Sequence, residues 1–220
     1  MSLSRFALAV LPVALLLTQT GCEDPAKDKP KATVSSAAPG TTIAAAAPLP
    51  ASAETLALDP AASSIGFVGA KVTGNHPGTF QKFTGSISLV GGKAEGGAIK
   101  LEVETASLKT DDAKLDGHLN SPDFFDSAKF PKTTFTSTSI KAGGDKGATH
   151  TIAGELDLHG VKKTITFPAT ITVGAEGATG TSEFSINRKD FGITYPGKTD
   201  DLIRDEMLLK LSLKAPKKKG

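Results

Sequence analysis

The sequence predicts an all-β domain behind a cleavable leader and an unstructured linker. Two observations carry the fold class. Apolar and polar residues alternate with period two along the chain from about residue 54 to 215, and the alternating runs are separated by short Gly-bearing links that leave no room for crossover helices. A third observation sets the order of segments: residues 23–53 are almost empty of large apolar side chains.

The leader occupies residues 1–21. Arg5 precedes an apolar run from Phe6 to Leu17, too short to span a bilayer, which takes ~20 residues, and therefore read as a secretory signal. Small and polar residues follow up to Gly21 and Cys22, the chain's single cysteine. The segment LLLTQTGC resembles the lipobox of bacterial lipoproteins, in which the cysteine is lipidated and becomes the mature N-terminus. Gln19 stands where that pattern carries an aliphatic residue. The alternative is ordinary cleavage nearby that leaves Cys22 a free thiol, and with one cysteine no internal disulfide can form.

Residues 22–53 read as a disordered tether starting at Cys22, because Ala, Pro, Ser, Thr and Lys cannot bury enough surface to offset their ordering entropy. As a flexible coil, such a tether would reach ~30 Å. The chain carries 25 Lys and Arg against 23 Asp and Glu, a balance that implies no nucleic acid partner. Lys217, Lys218 and Lys219 make a short basic tail over residues 216–220.

Within the domain, residues 54–215, the strand candidates run in order: Ser64 to Val72, Phe80 to Val90, Ile99 to Val103, Thr133 to Ile140, Ile152 to Leu158, Ile165 to Val173, Ala178 to Asn187 and Met207 to Leu213. Pro168 interrupts the sixth and suggests an edge or a bulge. Gly91 and Gly92, Gly96 and Gly97, Gly143 and Gly144, His159 and Gly160, and Gly174 to Gly177 read as hairpin links. Eight antiparallel strands with one apolar face must form a sandwich or close into an up-and-down barrel, and the pattern alone leaves both open. Between residues 111 and 125, Leu115 and Leu119 lie four apart, while Ser121 and Pro122 read as an N-cap and first helical position. This predicts two short helices that plug or lid one end.

HLNSPDFFDSAKFPKTTFTST (118–138), GELDLHGVKKTITF (154–167) and INRKDFGI (186–193) together resemble the YceI-like family of periplasmic proteins. The resemblance implies an extended, eight-stranded antiparallel lipocalin-like barrel with a short helical insert, whose lumen binds a polyisoprenoid or an isoprenoid quinone. It implies binding without catalysis, no cofactor apart from the bound isoprenoid lipid or quinone, and no metal. The expected protein is a periplasmic carrier or buffer with a link to stress, held to a bacterial membrane through its lipid anchor; which membrane and which oligomeric state are left open. The competing reading is a stress-related interaction module with a filled barrel and external partners. The family often has an arginine just before the aspartate of the helical motif, where this chain has Leu115 before Asp116.

Phe67, Phe83, Leu101, Leu108, Leu119, Phe124, Phe125, Phe135, Phe167, Phe184 and Phe191 are the candidate lumen or lid residues; each could equally be solid core. Asp116, His118, Arg188 and Tyr195 are the candidates for a polar head group. Asp116 and His118 either meet a quinone oxygen or brace the insert, Arg188 either organises a corner through Asp190 or a main-chain carbonyl or touches ligand, and Tyr195 lies at a pocket mouth or in a surface loop. His76, His150 and His159 share no metal-ligand spacing.

Overall fold

The computed structural model describes residues 23–36 and 48–218; the leader, Cys22 and the middle of the linker lie outside them. Fourteen strands and one α-helix follow in chain order: β1 (Thr33–Ser35), β2 (Glu54–Ala57), β3 (Ser64–Ala70), β4 (Asn75–Phe80), β5 (Phe83–Val90), β6 (Lys93–Glu104), β7 (Leu108–Thr110), α1 (Ala113–Leu119), β8 (Lys132–Ala142), β9 (His150–Leu158), β10 (Val161–Gly174), β11 (Gly177–Asn187), β12 (Gly197–Lys198), β13 (Asp201–Leu202) and β14 (Glu206–Pro216). All eight expected strands are present. The extra long one, β4, carries Pro77 and Gly78, which hide its alternation.

One sheet runs β2-β5-β6-β8-β9-β10-β11-β14-β3-β4-β7 and curls around an apolar core into an extended lipocalin-like barrel. Two main-chain bonds help close the curl: the Leu58 N–H donates to the Gly85 carbonyl at 2.9 Å and the Asp59 N–H to the Lys214 carbonyl at 2.8 Å, so residues 58 and 59 stitch β5 to β14. Gly91 and Gly92, both at positive φ, close the β5–β6 hairpin as expected. Gly96 and Gly97 do not form a link; they sit inside β6 at a register shift against β5, where a Cβ on Gly97 would lie 2.0 Å from the Ser88 carbonyl oxygen.

The helical insert is half as helical as expected. Asp112 caps α1 by accepting from the Lys114 N–H, and Leu119 is buried. Ser121 and Pro122 open only a turn, because burial of both Phe124 and Phe125 bends the chain and Asp126, at φ 44°, ends it. The insert is fastened through Asp116: its carboxylate accepts from the Thr110 N–H at 2.7 Å, the Thr110 hydroxyl at 2.8 Å and Lys109 Nζ at 3.0 Å.

The expectation of a continuous disordered tether needs correction for residues 23–36, which dock on the barrel. β10 and β11 pair from Thr170 and Thr181 down to Gly174 and Gly177, then part at Pro168. Proline has no N–H to give the ladder, and its carbonyl is taken by the Ser182 hydroxyl at 2.6 Å. Into the resulting seam the N-terminal segment inserts. Ala32 N–H donates to Ser185 O and Ser185 N–H to Pro30 O, both at 2.9 Å, while β1 pairs antiparallel with β10 from Thr33 opposite Thr166 to Ser35 opposite Thr164. Ala32 is 3% exposed, and Lys31 pairs with Glu206 at 2.5 Å while Lys29 pairs with Glu183. A low apolar content argued for disorder only because the open backbone edges of the seam cannot be seen in a sequence.

Two outcomes follow from these fastenings. Ala32→Arg cannot fit the seam and should release the segment, so the Ser185 amide should lose hydrogen-exchange protection while amides of the β8–β9 ladder keep theirs. The Thr110 hydroxyl above all, and Lys109 with it, hold the Asp116 carboxyl below the usual carboxylate range. Its stabilising effect is therefore complete above the unfolded value of about 4 and is lost as pH falls through the lowered folded value. Asp116→Asn should lower the thermal midpoint at pH 7, and the gap to the parent protein should close as the pH is taken well below 4.

Candidate functional site

Strand alternation aims one side of every long strand inward, and the interior side is predominantly apolar, with Thr133, Thr134, Thr181 and Ser182 among its lining. It encloses a cavity of about 110 Å³. Six of the expected lumen residues line it: Phe67, Leu101, Phe125, Phe135, Phe167 and Phe184. Phe83, Leu108 and Phe191 are buried but line neither this cavity nor the pocket described next. The aliphatic share of the lining, with Ile65, Ile87, Ile152, Leu156 and Ile165 among it, was missed by an emphasis on phenylalanine, although its period-two spacing marks it in the sequence.

Two close approaches keep the rings against the wall. Phe67 stands opposite Gly78 in the β3–β4 ladder, and a Cβ on Gly78 would fall 2.3 Å from the tip of the Phe67 ring. Likewise a Cβ on Gly154 would fall 2.5 Å from the Phe135 ring. Each ring lies flat across a glycine instead of standing into the lumen. Phe167 and Phe184 stack face to face, 4.1 Å between centroids.

At one end the cavity meets a mouth pocket of about 360 Å³ between α1, the β3–β4 hairpin and the β12–β13 loop. Phe67 lines both spaces, and its ring packs with Phe80 and Phe125 at 5.6 and 6.0 Å between centroids, making an aromatic partition between them. Leu119 and Phe124, both proposed as lid contacts, line the mouth, as do His118 and Tyr195. The rings of His118, Phe124 and Tyr195 form a cluster with centroids 4.9 to 5.3 Å apart. His118 Nε2 also lies 3.1 Å from Asp123. Lys71, Lys114, Lys198 and Asp201 complete a polar rim.

The other two polar candidates are engaged within the fold. Asp116 fastens the insert and lines neither space. Arg188, 5% exposed, donates to the carbonyls of Ile193 at 2.8 Å and Arg204 at 3.1 Å and reaches Asp205 at 3.3 Å. Asp205, not Asp190, is its acidic partner. Burial lowers the Arg188 pKa and Asp205 partly offsets this. Lys114 stands in the mouth beside Leu115, near where the family's arginine would fall in sequence. Among the described residues no three His, Cys, Asp or Glu side chains converge to hold a metal, and no helix is long and apolar enough to cross a membrane.

Similarity to known proteins covers the same region. A UPF0312 protein of Pseudomonas putida is 39% identical over 132 residues, 57% of this chain and 68% of the relative, and one from Pseudomonas syringae pv. tomato is 40% identical over 134 residues with the same coverage. In structure, Burkholderia cenocepacia BcnA superposes with a TM-score of 0.62 at 24% identity, over 71% of this chain and 98% of that one. A polyisoprenoid binding domain from Saccharophagus degradans, implicated in plant cell wall breakdown, gives 0.58 at 20% identity, over 75% and 99%. At these identities the two structures speak for the fold. The YceI-like domain itself matches residues 56–215, from the first barrel strand to the end of the last, and the chain therefore belongs to the YceI-like family.

Proposed function

We propose that this protein is a periplasmic carrier or buffer, acylated at Cys22, that holds a long isoprenoid with its tail in the lumen and its polar head in the mouth beside His118 and Tyr195. One observation carries the reading: a predominantly apolar lumen meets, across an aromatic partition, a mouth pocket of mixed polarity. That sequence of environments matches an amphiphile with a hydrocarbon tail and a small head. The name of the Saccharophagus degradans domain lends the ligand class further support.

The lumen volume constrains how such a ligand is held. A cavity of about 110 Å³ is smaller than the ~150 Å³ that accepts benzene, so a chain of several isoprene units enters only as side chains move. Phe67, Phe80 and Phe125 meet at tilted or edge geometry, and each such pair contributes only ~0.5–1.5 kcal/mol. Burial of a hydrocarbon chain at ~25 cal/mol per Å² exceeds that cost within the first few methylenes. The head group contributes orientation. Tyr195 offers a phenol and His118 an imidazole, both suited to a quinone carbonyl or a prenol hydroxyl.

Protein purified under native conditions, extracted with solvent and examined by mass spectrometry, should yield a prenol or isoprenoid quinone; protein that carries none and takes up none of either class would overturn the reading. Ala169, buried on the lumen wall, gives a sharper variant. Ala169→Phe should fill the lumen and abolish copurified lipid while far-ultraviolet dichroism stays unchanged, at a stability loss of ~1–3 kcal/mol. His118→Ala combined with Tyr195→Phe should leave tail-driven uptake within about tenfold of the parent but flatten the preference between a quinone and a saturated hydrocarbon of equal length.

A further inference from the structure

The mouth rim carries an unusual pair of side chains. Val72 and Leu202, 58% and 49% exposed, are the exposed large hydrophobic residues among those described. They are neighbours: the Val72 N–H donates to the Leu202 carbonyl at 3.1 Å, and the adjacent residues Lys71 and Ile203 pair as an antiparallel bridge. Lys71 and Ile203 both line the mouth, so the exposed pair stands on its lip. Single surface hydrophobics need no explanation, but a contiguous pair at the entrance to an apolar lumen has one available.

The N-terminal segment arrives at the same end. Arg204 follows Ile203, donates its N–H to the Ala70 carbonyl at 2.8 Å, and reaches the Asp24 carboxylate at 3.4 Å with its guanidinium. Asp24 lies two residues after Cys22. The proposed anchor residue is therefore two residues of chain from a side chain tied to the rim. Because residues 30–35 are held in the β10–β11 seam and Lys29 and Lys31 are paired to Glu183 and Glu206, this stretch is a bracket and not a free spacer.

We propose that the mouth rim rests on the membrane that holds the acyl chains, with Val72 and Leu202 in the lipid interface, so that an isoprenoid passes between bilayer and lumen without crossing water. The inference rests on the acylated-carrier reading and adds its orientation and partner surface. Of the rim cations, Lys71 and Arg204 are paired, to Asp201 at 2.6 Å and to Asp24, while Lys114 and Lys198 also line the mouth; the proposal assigns docking to the apolar pair and the anchor, which neutral lipid suffices to test.

The test uses the full acylated chain in phosphatidylcholine vesicles, with single cysteines labelled by an environment-sensitive fluorophore at Val72→Cys, Leu202→Cys and, in the hairpin at the opposite end, Ala175→Cys. Labels at 72 and 202 should shift to the blue and be quenched by spin-labelled lipid, and the label at 175 should do neither. Acylated protein whose labels at 72 and 202 are as wet as the one at 175 overturns the docked rim and leaves the carrier standing. An N-terminal peptide whose mass lacks acyl chains overturns the anchor and the docking together. As a second measurement, Val72→Ser with Leu202→Ser should slow uptake of a short-tailed ubiquinone from vesicles by roughly tenfold or more, with unchanged affinity for the same probe in detergent. Unchanged vesicle uptake overturns the proposal, whereas loss of binding in detergent by the parent protein itself overturns the carrier reading.

Discussion

The structure depends on how a single curled sheet covers its own inner face. No second layer packs into this barrel, so the inward side chains must either interlock across the axis or leave it open, and a barrel of about eight strands sits at the boundary between the two. Here the outcome is decided by the angle at which the rings lie. Phe67 across Gly78 and Phe135 across Gly154 occupy the space that two Cβ atoms would otherwise take. Rings turned along the wall leave the axis narrow but open, bounded by aliphatic branches that can rotate. A core of the same composition with those glycines replaced by larger residues would have to push its rings inward.

A local defect in the same sheet shapes the outside. Pro168 cannot donate toward β11, and the two longest neighbouring strands separate below the point where Thr170 meets Thr181. An open edge inside a sheet is a liability, and the chain answers it with its own N-terminal residues, which satisfy Ser185 on one side and Thr164 to Thr166 on the other. Segment and seam thus explain one another: the ordering of residues poor in apolar side chains is paid for by backbone bonds, and the length of linker between Cys22 and the barrel falls from some thirty residues to a few.

Much of this was legible in one dimension. The eight long alternating strands, the Gly91–Gly92 and His159–Gly160 hairpins, and a short helix carrying Leu115 and Leu119 all follow from local pattern and turn chemistry. What the sequence hid has physical causes of two kinds. β4 and the Gly96–Gly97 irregularity depend on strand neighbours, since Pro77, Gly78 and Gly97 take their meaning from Val68, Phe67 and Ser88. The docked segment depends on a vacancy in hydrogen bonding between β10 and β11, which exists only once the sheet is assembled. At the site, apolar alternation pointed to lumen residues such as Phe67 and Phe184, but it could not separate them from Phe83 or Phe191, equally apolar and equally buried, because volume along the axis is set by all the strands at once.

The polar residues of the mouth divide by the same logic. Asp116 and Arg188 are the most deeply placed charges near the insert and the last corner, and each has its hydrogen-bonding capacity met from within the fold, by Thr110 and Lys109 in one case and by the carbonyls of Ile193 and Arg204 in the other. A buried charge whose partners are already in place cannot turn to a ligand without leaving those partners unsatisfied, a loss of several kcal/mol at such sites. Under the proposed carrier function, recognition of a head group would therefore fall to the half-exposed pair His118 and Tyr195, whose contacts with each other and with Phe124 are soft ring packing. On that proposal, weak and adaptable polar contacts at the entrance and a long apolar interior would make the length and branching of the hydrocarbon count for more than the chemistry of its end.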